Sequence, residues 1–105
     1  MSSQRSKKEE FAALIRAARA LLGWSQHDLA NASMVSRPTI AEIERGVREP
    51  QPRTIRDLRD ALFKAGVMLE EPFEDVKGYG VYFFPEGFPR RLRDDEEQPD
   101  EEEAG

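Results

Sequence analysis

The stretch Trp24–Pro52, WSQHDLANASMVSRPTIAEIERGVREPQP, decides how the rest of the chain is read. It contains two helix start signals eleven residues apart, Ser25 and Ser36. A serine hydroxyl can accept from a first-turn N–H that has no intrahelical partner, so each serine predicts a helix starting one residue later. Asp28 follows Ser25 at capping-box distance, and Thr39 follows Ser36 at the same distance. Each cap has an apolar pair to staple it, Trp24 with Leu29 and Val35 with Ile40. Pro38 is compatible with the second helix, because first-turn amides have no helical bond to lose. Gly46 offers a left-handed stop, and Pro50 and Pro52 are expected to keep the chain out of helix. Two short helices joined by about three residues form a helix-turn-helix.

The flanking sequence supplies what these short helices pack against. Residues 1–8, MSSQRSKK, read as a flexible basic arm. From Glu9 the pattern turns helical, with Phe11, Leu14, Ile15, Ala18, Leu21 and Leu22 on one face and Gly23 closing it. Thr54 is the expected cap of a fourth helix with the inward stripe Ile55, Leu58, Ala61, Leu62 and Ala65, ended by Gly66. None of these helices is stable alone at such lengths, so residues 9–66 are expected to share one core. Val67–Glu70 and Gly80–Phe84 then read as strands of a hairpin around a loop with Pro72, Gly78 and Tyr79. Residues 67–90 are expected to act as a dimerisation element through Val67, Leu69, Val81, Tyr82, Phe83 and Phe84, because a lone hairpin is marginal and its edge invites another strand. The competing reading is a flap lying back on the helices. Residues 91–105 read as a disordered acidic tail.

The net charge of −5 hides an asymmetry: residues 1–66 carry twelve Lys and Arg against eight Asp and Glu, while residues 67–105 carry four against thirteen. A basic domain therefore precedes an acidic extension. The absence of cysteine excludes a disulfide framework and thiolate metal sites and suits a reducing cytoplasm. No apolar run is long enough for a membrane span.

Gln26, Leu29, Ala30, Val35, Ser36, Ile40, Ile43, Glu44, Arg45 and Gly46 read together as Q-x-x-L-A … V-S-x-x-x-I-x-x-I-E-R-G. This pattern resembles the Cro/cI-type (Xre-type) helix-turn-helix of bacterial and phage transcription regulators, over roughly residues 9–66. The resemblance implies a mainly α fold: a lambda-repressor-like bundle of four to five helices, here with a C-terminal β-hairpin. It also implies double-stranded DNA as partner, with the second motif helix in the major groove, N-terminal end first.

On that alignment Arg37, Pro38, Thr39 and Glu42 are candidate base readers. Arg37 stands in a first turn, where the helix dipole disfavours a cation, and its guanidinium matches the O6 and N7 acceptors of guanine; phosphate contact and idle solvation are the alternatives. Pro38 can offer only apolar contact. Glu42 can accept from cytosine N4 or orient Arg37. Gln26, Ser36, Arg45, Arg48, Arg53 and Thr54 are phosphate candidates, Gln26 by the resemblance. The resemblance also aligns Arg19 and Glu44 as a structural ion pair. Many relatives have glycine in the motif turn where this chain has Met34, so either a strained left-handed residue or a different turn is expected.

His27 is the only histidine, with no companion for metal ligation or a nucleophilic triad. No P-loop or dinucleotide turn is present, so the expectation is a non-enzyme without metal or cofactor. The reading is a dimeric DNA-binding repressor recognising an inverted repeat. Its rivals are the antitoxin of a toxin–antitoxin pair and a protein-binding coactivator module, with a toxin or RNA polymerase as protein partner.

Overall fold

The computed structural model describes residues 6–70 and 78–89. Four helices and two strands follow in order: α1 Lys7–Leu22, α2 Gln26–Ser33, α3 Arg37–Glu44, α4 Pro52–Lys64, β1 Val67–Glu70 and β2 Gly80–Phe83. The chain is mainly helical, a helix-turn-helix bundle completed by a hairpin. Most of the arm, the loop residue Pro72 and the acidic tail lie outside the described residues.

Helix α1 starts two residues before Glu9. The Ser6 hydroxyl accepts from the Glu9 N–H at 3.3 Å and the Glu9 carboxylate accepts from the Ser6 N–H at 3.0 Å, a complete capping box. Phe11, Leu14, Ile15 and Ala18 are buried, but Leu21, expected inward, is 48% exposed, and Leu22 packs against the core instead. Helix α2 carries the second box, with Ser25 and Asp28 bonded at 3.0 and 2.8 Å. Hydrogen bonding to the Asp28 carboxyl, first from the Ser25 N–H and then from the Ser25 side chain, holds it below its ordinary range.

The α2–α3 turn passes through Met34 at φ 64°, the one non-glycine residue with positive φ among those described. Its side chain is 87% exposed, so no packing compensates the left-handed backbone. Helix α3 is capped by Ser36, which accepts from the Thr39 N–H at 3.3 Å, and the chain leaves it through Gly46 at φ 71°. The helical period that turns Ile40 and Ile43 inward predicts the same for Val47, but that turn carries it off the helix face and leaves it 59% exposed.

Helix α4 corrects two expectations. Pro52 is its first residue rather than a breaker, and Gln51 precedes it without a side-chain cap bond. Thr54 therefore lies inside the first turn and is not the cap. Proline suits that position because its fixed φ is already helical and its missing N–H had no partner there.

Ile15, Leu29, Ile40, Ile43, Leu58, Leu62 and Val67 are the fully buried large side chains, drawn from all four helices and β1. The hairpin is antiparallel, with Val67 opposite Phe83 and Glu70 opposite Gly80. It lies on the helices: β1 packs on α4 and β2 on α1. Val67 and Leu69 are buried in the core of their own chain, with Val81 and Phe83 packed against it, so their side chains are occupied within one copy. Phe88 extends this contact by stacking on Phe63 with ring centroids 4.3 Å apart. At the α4–β1 junction Gly66 has φ 97°, and a Cβ there would meet the Phe84 carbonyl oxygen at 2.7 Å. The same junction is closed by the Phe84 N–H donating to the Gly66 carbonyl at 2.8 Å.

Two substitutions test these turns in opposite directions. Met34→Gly removes a left-handed cost of about 1–2 kcal/mol and adds unfolded-state entropy of about 0.4–1 kcal/mol, so a net gain centred on about 0.8 kcal/mol is expected in urea unfolding. Gly66→Ala is expected to lose more than about 2 kcal/mol, from strain and backbone overlap together. A Met34→Gly chain no more stable than its parent would show that the turn is unstrained.

Candidate nucleic-acid interface

The site begins with a buried charge. Glu44 ends α3 and is 5% exposed, so its carboxylate needs partners inside the protein. Arg19, on α1, donates from Nε to Oε2 at 2.7 Å and from Nη2 to Oε1 at 2.8 Å, a two-pronged pair. The Arg19 guanidinium also donates to the Trp24 carbonyl at 2.9 Å. Hydrogen bonding to Glu44 is the main cause that raises the Arg19 pKa above its ordinary value. From the same helix, Arg16 donates to the Glu44 backbone carbonyl at 2.5 Å, satisfying an acceptor that the end of α3 leaves open.

The network continues outward. Gln26, the first residue of α2, donates from Nε2 to Glu44 Oε1 at 3.1 Å, and its Oε1 accepts from Arg37 Nη1 at 3.4 Å. Arg37 is the first residue of α3 and is exposed. A continuous set of hydrogen bonds thus runs from Arg19 through Glu44 and Gln26 to Arg37. The amide of Gln26 is engaged on both sides rather than held free for a phosphate.

The remaining candidates fall into separate groups. Glu42 pairs with Arg48 at 2.6 Å, so it orients Arg48 and not Arg37. Both side chains are more than two-fifths exposed, which makes the pair weak in stability terms. The Ser36 hydroxyl is committed to capping and to Thr39, whose Oγ1 accepts from it at 2.9 Å. Pro38 is exposed and Thr39 half-buried beside it. Arg45 is exposed just beyond α3, and Arg53 is exposed with Thr54 half-buried in the first turn of α4. Among the described residues, neither Arg45 nor Arg53 joins the Glu44 network or the Arg48 pair.

Arg16 escaped the reading of the sequence. Its signal was present: it stands three residues before Arg19 on the same side of α1, a second cation where one buried acid was to be met.

Residues 15–65 match the family profile described as "Helix-turn-helix". These residues belong to the Cro/cI-type helix-turn-helix family. The matched segment spans all of α2 and α3 and ends just beyond α4. The chain is similar in structure to the clp gene regulator ClgR from Corynebacterium glutamicum, with 32% identity and a TM-score of 0.53. The likeness covers 57% of this chain and 64% of that one, so this chain spans less than two thirds of that protein. No curated protein matches the chain significantly. No group of metal-ligating side chains occurs among the described residues, and no helix there is long and apolar enough to cross a membrane.

Removing either partner of the helix-turn-helix anchor leaves a buried charge or an open site. Glu44→Ala is expected to cost about 3–5 kcal/mol in urea unfolding, and the cost of the Arg19→Ala/Glu44→Ala double variant should fall well short of the summed single costs. Strict additivity would show that the two side chains do not act as a pair.

Proposed function

We propose that the protein is a DNA-binding transcriptional regulator that reads the major groove with the first turn of α3. The observation that carries this is the placement of Arg37: an exposed guanidinium at a helix N-terminus, held by Gln26 and through it by Glu44. A cation there gains nothing from its own helix dipole, and its planar fork matches the guanine O6 and N7 pair. Pro38 would offer apolar contact beside it, and Thr39 a methyl or a hydroxyl. Arg45, Arg53 and Thr54 would meet phosphates, and Gln26 would act chiefly by positioning Arg37. Arg48 would reach phosphate only by leaving Glu42, which favours a DNA contact that trades one ionic partner for another. Family membership and the likeness to a gene regulator support the same reading.

A repressor acting as a homodimer on an inverted repeat is the form we favour, in which two copies would place two α3 helices about one helical turn apart. Because Val67 and Leu69 are buried within one copy, the second copy would meet the outer side of the hairpin and α1 instead. Exposed apolar side chains lie there, Leu21 at 48% and Tyr82 at 52%, with Tyr79 nearby. Deleting the hairpin is no test of this, since it would open the core.

Selection of random duplexes by the purified protein should enrich an inverted repeat with guanine at a symmetric position. Arg37→Ala should lose that preference by about 1–3 kcal/mol while keeping weak, salt-sensitive binding to any duplex. Enrichment by Arg37→Ala of the same repeat would remove Arg37 as a base reader. In sedimentation, Leu21→Glu/Tyr82→Lys should run as a monomer with an unchanged helical spectrum; a persistent dimer would place the interface elsewhere.

A further inference from the structure

The face proposed to read DNA carries more positive charge than the described residues neutralise. Arg37, Arg45 and Arg53, proposed above to meet DNA, are all exposed, and so is Arg56, three residues beyond Arg53 on α4. Among the described residues none of the four has a carboxylate partner, whereas Arg19 and Arg48 each have one. The same chain contains the complementary charge: residues 94–103, DDEEQPDEEE, hold eight carboxylates and no Lys or Arg. Such a run resembles a strand of phosphates in charge density, with acids spaced by one extended residue, about 3.5 Å.

The two are within reach. The last described residues pack near the C-terminal end of α4, where Phe88 stacks on Phe63. The N-terminal end of that helix, which carries Arg53 and Arg56, lies about 17 Å away along its axis at 1.5 Å per residue. The fourteen steps from Pro89 to Glu103 span at most about 50 Å when extended, so the acids can reach Arg53 and Arg56 with slack.

We propose that residues 94–103 bind the arginine face of their own chain and compete there with DNA. The inference rests on the DNA reading for its consequence, but the contact is measurable without DNA. The chain has no cysteine, so Ala104→Cys gives a single thiol for a nitroxide label and keeps every carboxylate. In the full-length chain at low salt, amides around Arg37–Thr39 and Arg53–Arg56 should broaden selectively, and the effect should vanish near about 0.5 M salt. No broadening, or broadening spread evenly over the surface, overturns the contact. So does equal broadening when the label sits only on a second, isotopically unlabelled chain, because that contact is between copies.

The competition has its own arm. Replacing the eight acids of residues 94–103 by Asn and Gln should tighten binding to a random duplex. If the segment occupies the face about nine-tenths of the time, the gain is about tenfold. Equal affinity of the two chains overturns the competition. If neither chain binds duplex DNA, the DNA reading fails while the label experiment still decides the contact.

Discussion

The fold depends on how the Glu44 carboxylate is neutralised. An ionised acid at 5% exposure is tolerable only when hydrogen bonds and an opposite charge replace the water it has lost. Arg19 and Gln26 provide three N–H donors to its two oxygens, and Arg16 closes the backbone carbonyl of the same residue. One residue thereby ties α1 and the start of α2 to the end of α3. Helix α3 has only eight residues, too few to persist by its own hydrogen bonds. It is held at one end by the Ser36 cap, at the other by Glu44, and between them by Ile40 and Ile43 in the core. The proposed interface, which would need Arg37 and Pro38 at fixed positions, thus stands on a helix that other elements hold in place.

The hairpin is a second constraint of the same kind. A two-stranded sheet is marginal in water, and a core this small has few large side chains to spare. Val67 and Leu69 add their bulk to the helical core, and Gly66 lets the chain turn close enough for the Phe84 amide to reach its carbonyl. The expectation of a dimer through the hairpin weighed its marginal stability when alone and its open edge. Alternation along β1 assigns one face to burial without saying whose atoms cover it, and here the chain covers it with its own helices.

Local signals were legible where the chemistry was local. Ser25 with Asp28 and Ser36 with Thr39 lie within four residues of each other, so spacing alone identifies their bonds, and the pattern around Ile40 and Glu44 placed the family. Ser6 was missed although Ser-Lys-Lys-Glu has capping-box spacing, because its basic setting suggested a loose arm. At α4 the rule for threonine caps outweighed proline's preference for the first helical position, which displaced the start by three residues. Val47 and Leu21 were misplaced by extending a helical period past the point where the backbone or the neighbouring elements change what is covered. The partners of Gln26, Glu42 and Arg16 depend on how separate helices meet, and no spacing along the chain encodes that.

The same network limits how the site can be dissected. Glu44 pairs with the half-buried Arg19 and also bonds the amide that holds Arg37, so losing it would change stability and the proposed base reading together. A loss of binding on changing Glu44 would therefore say little about recognition. Gln26 is the more informative position, because removing its amide frees the Arg37 guanidinium and takes one donor from Glu44 but leaves both Arg19–Glu44 bonds in place. The entropy of that freed side chain, rather than any change in the fold, then sets the effect on recognition. Fold and specificity meet in one carboxylate, and they separate one hydrogen bond further out.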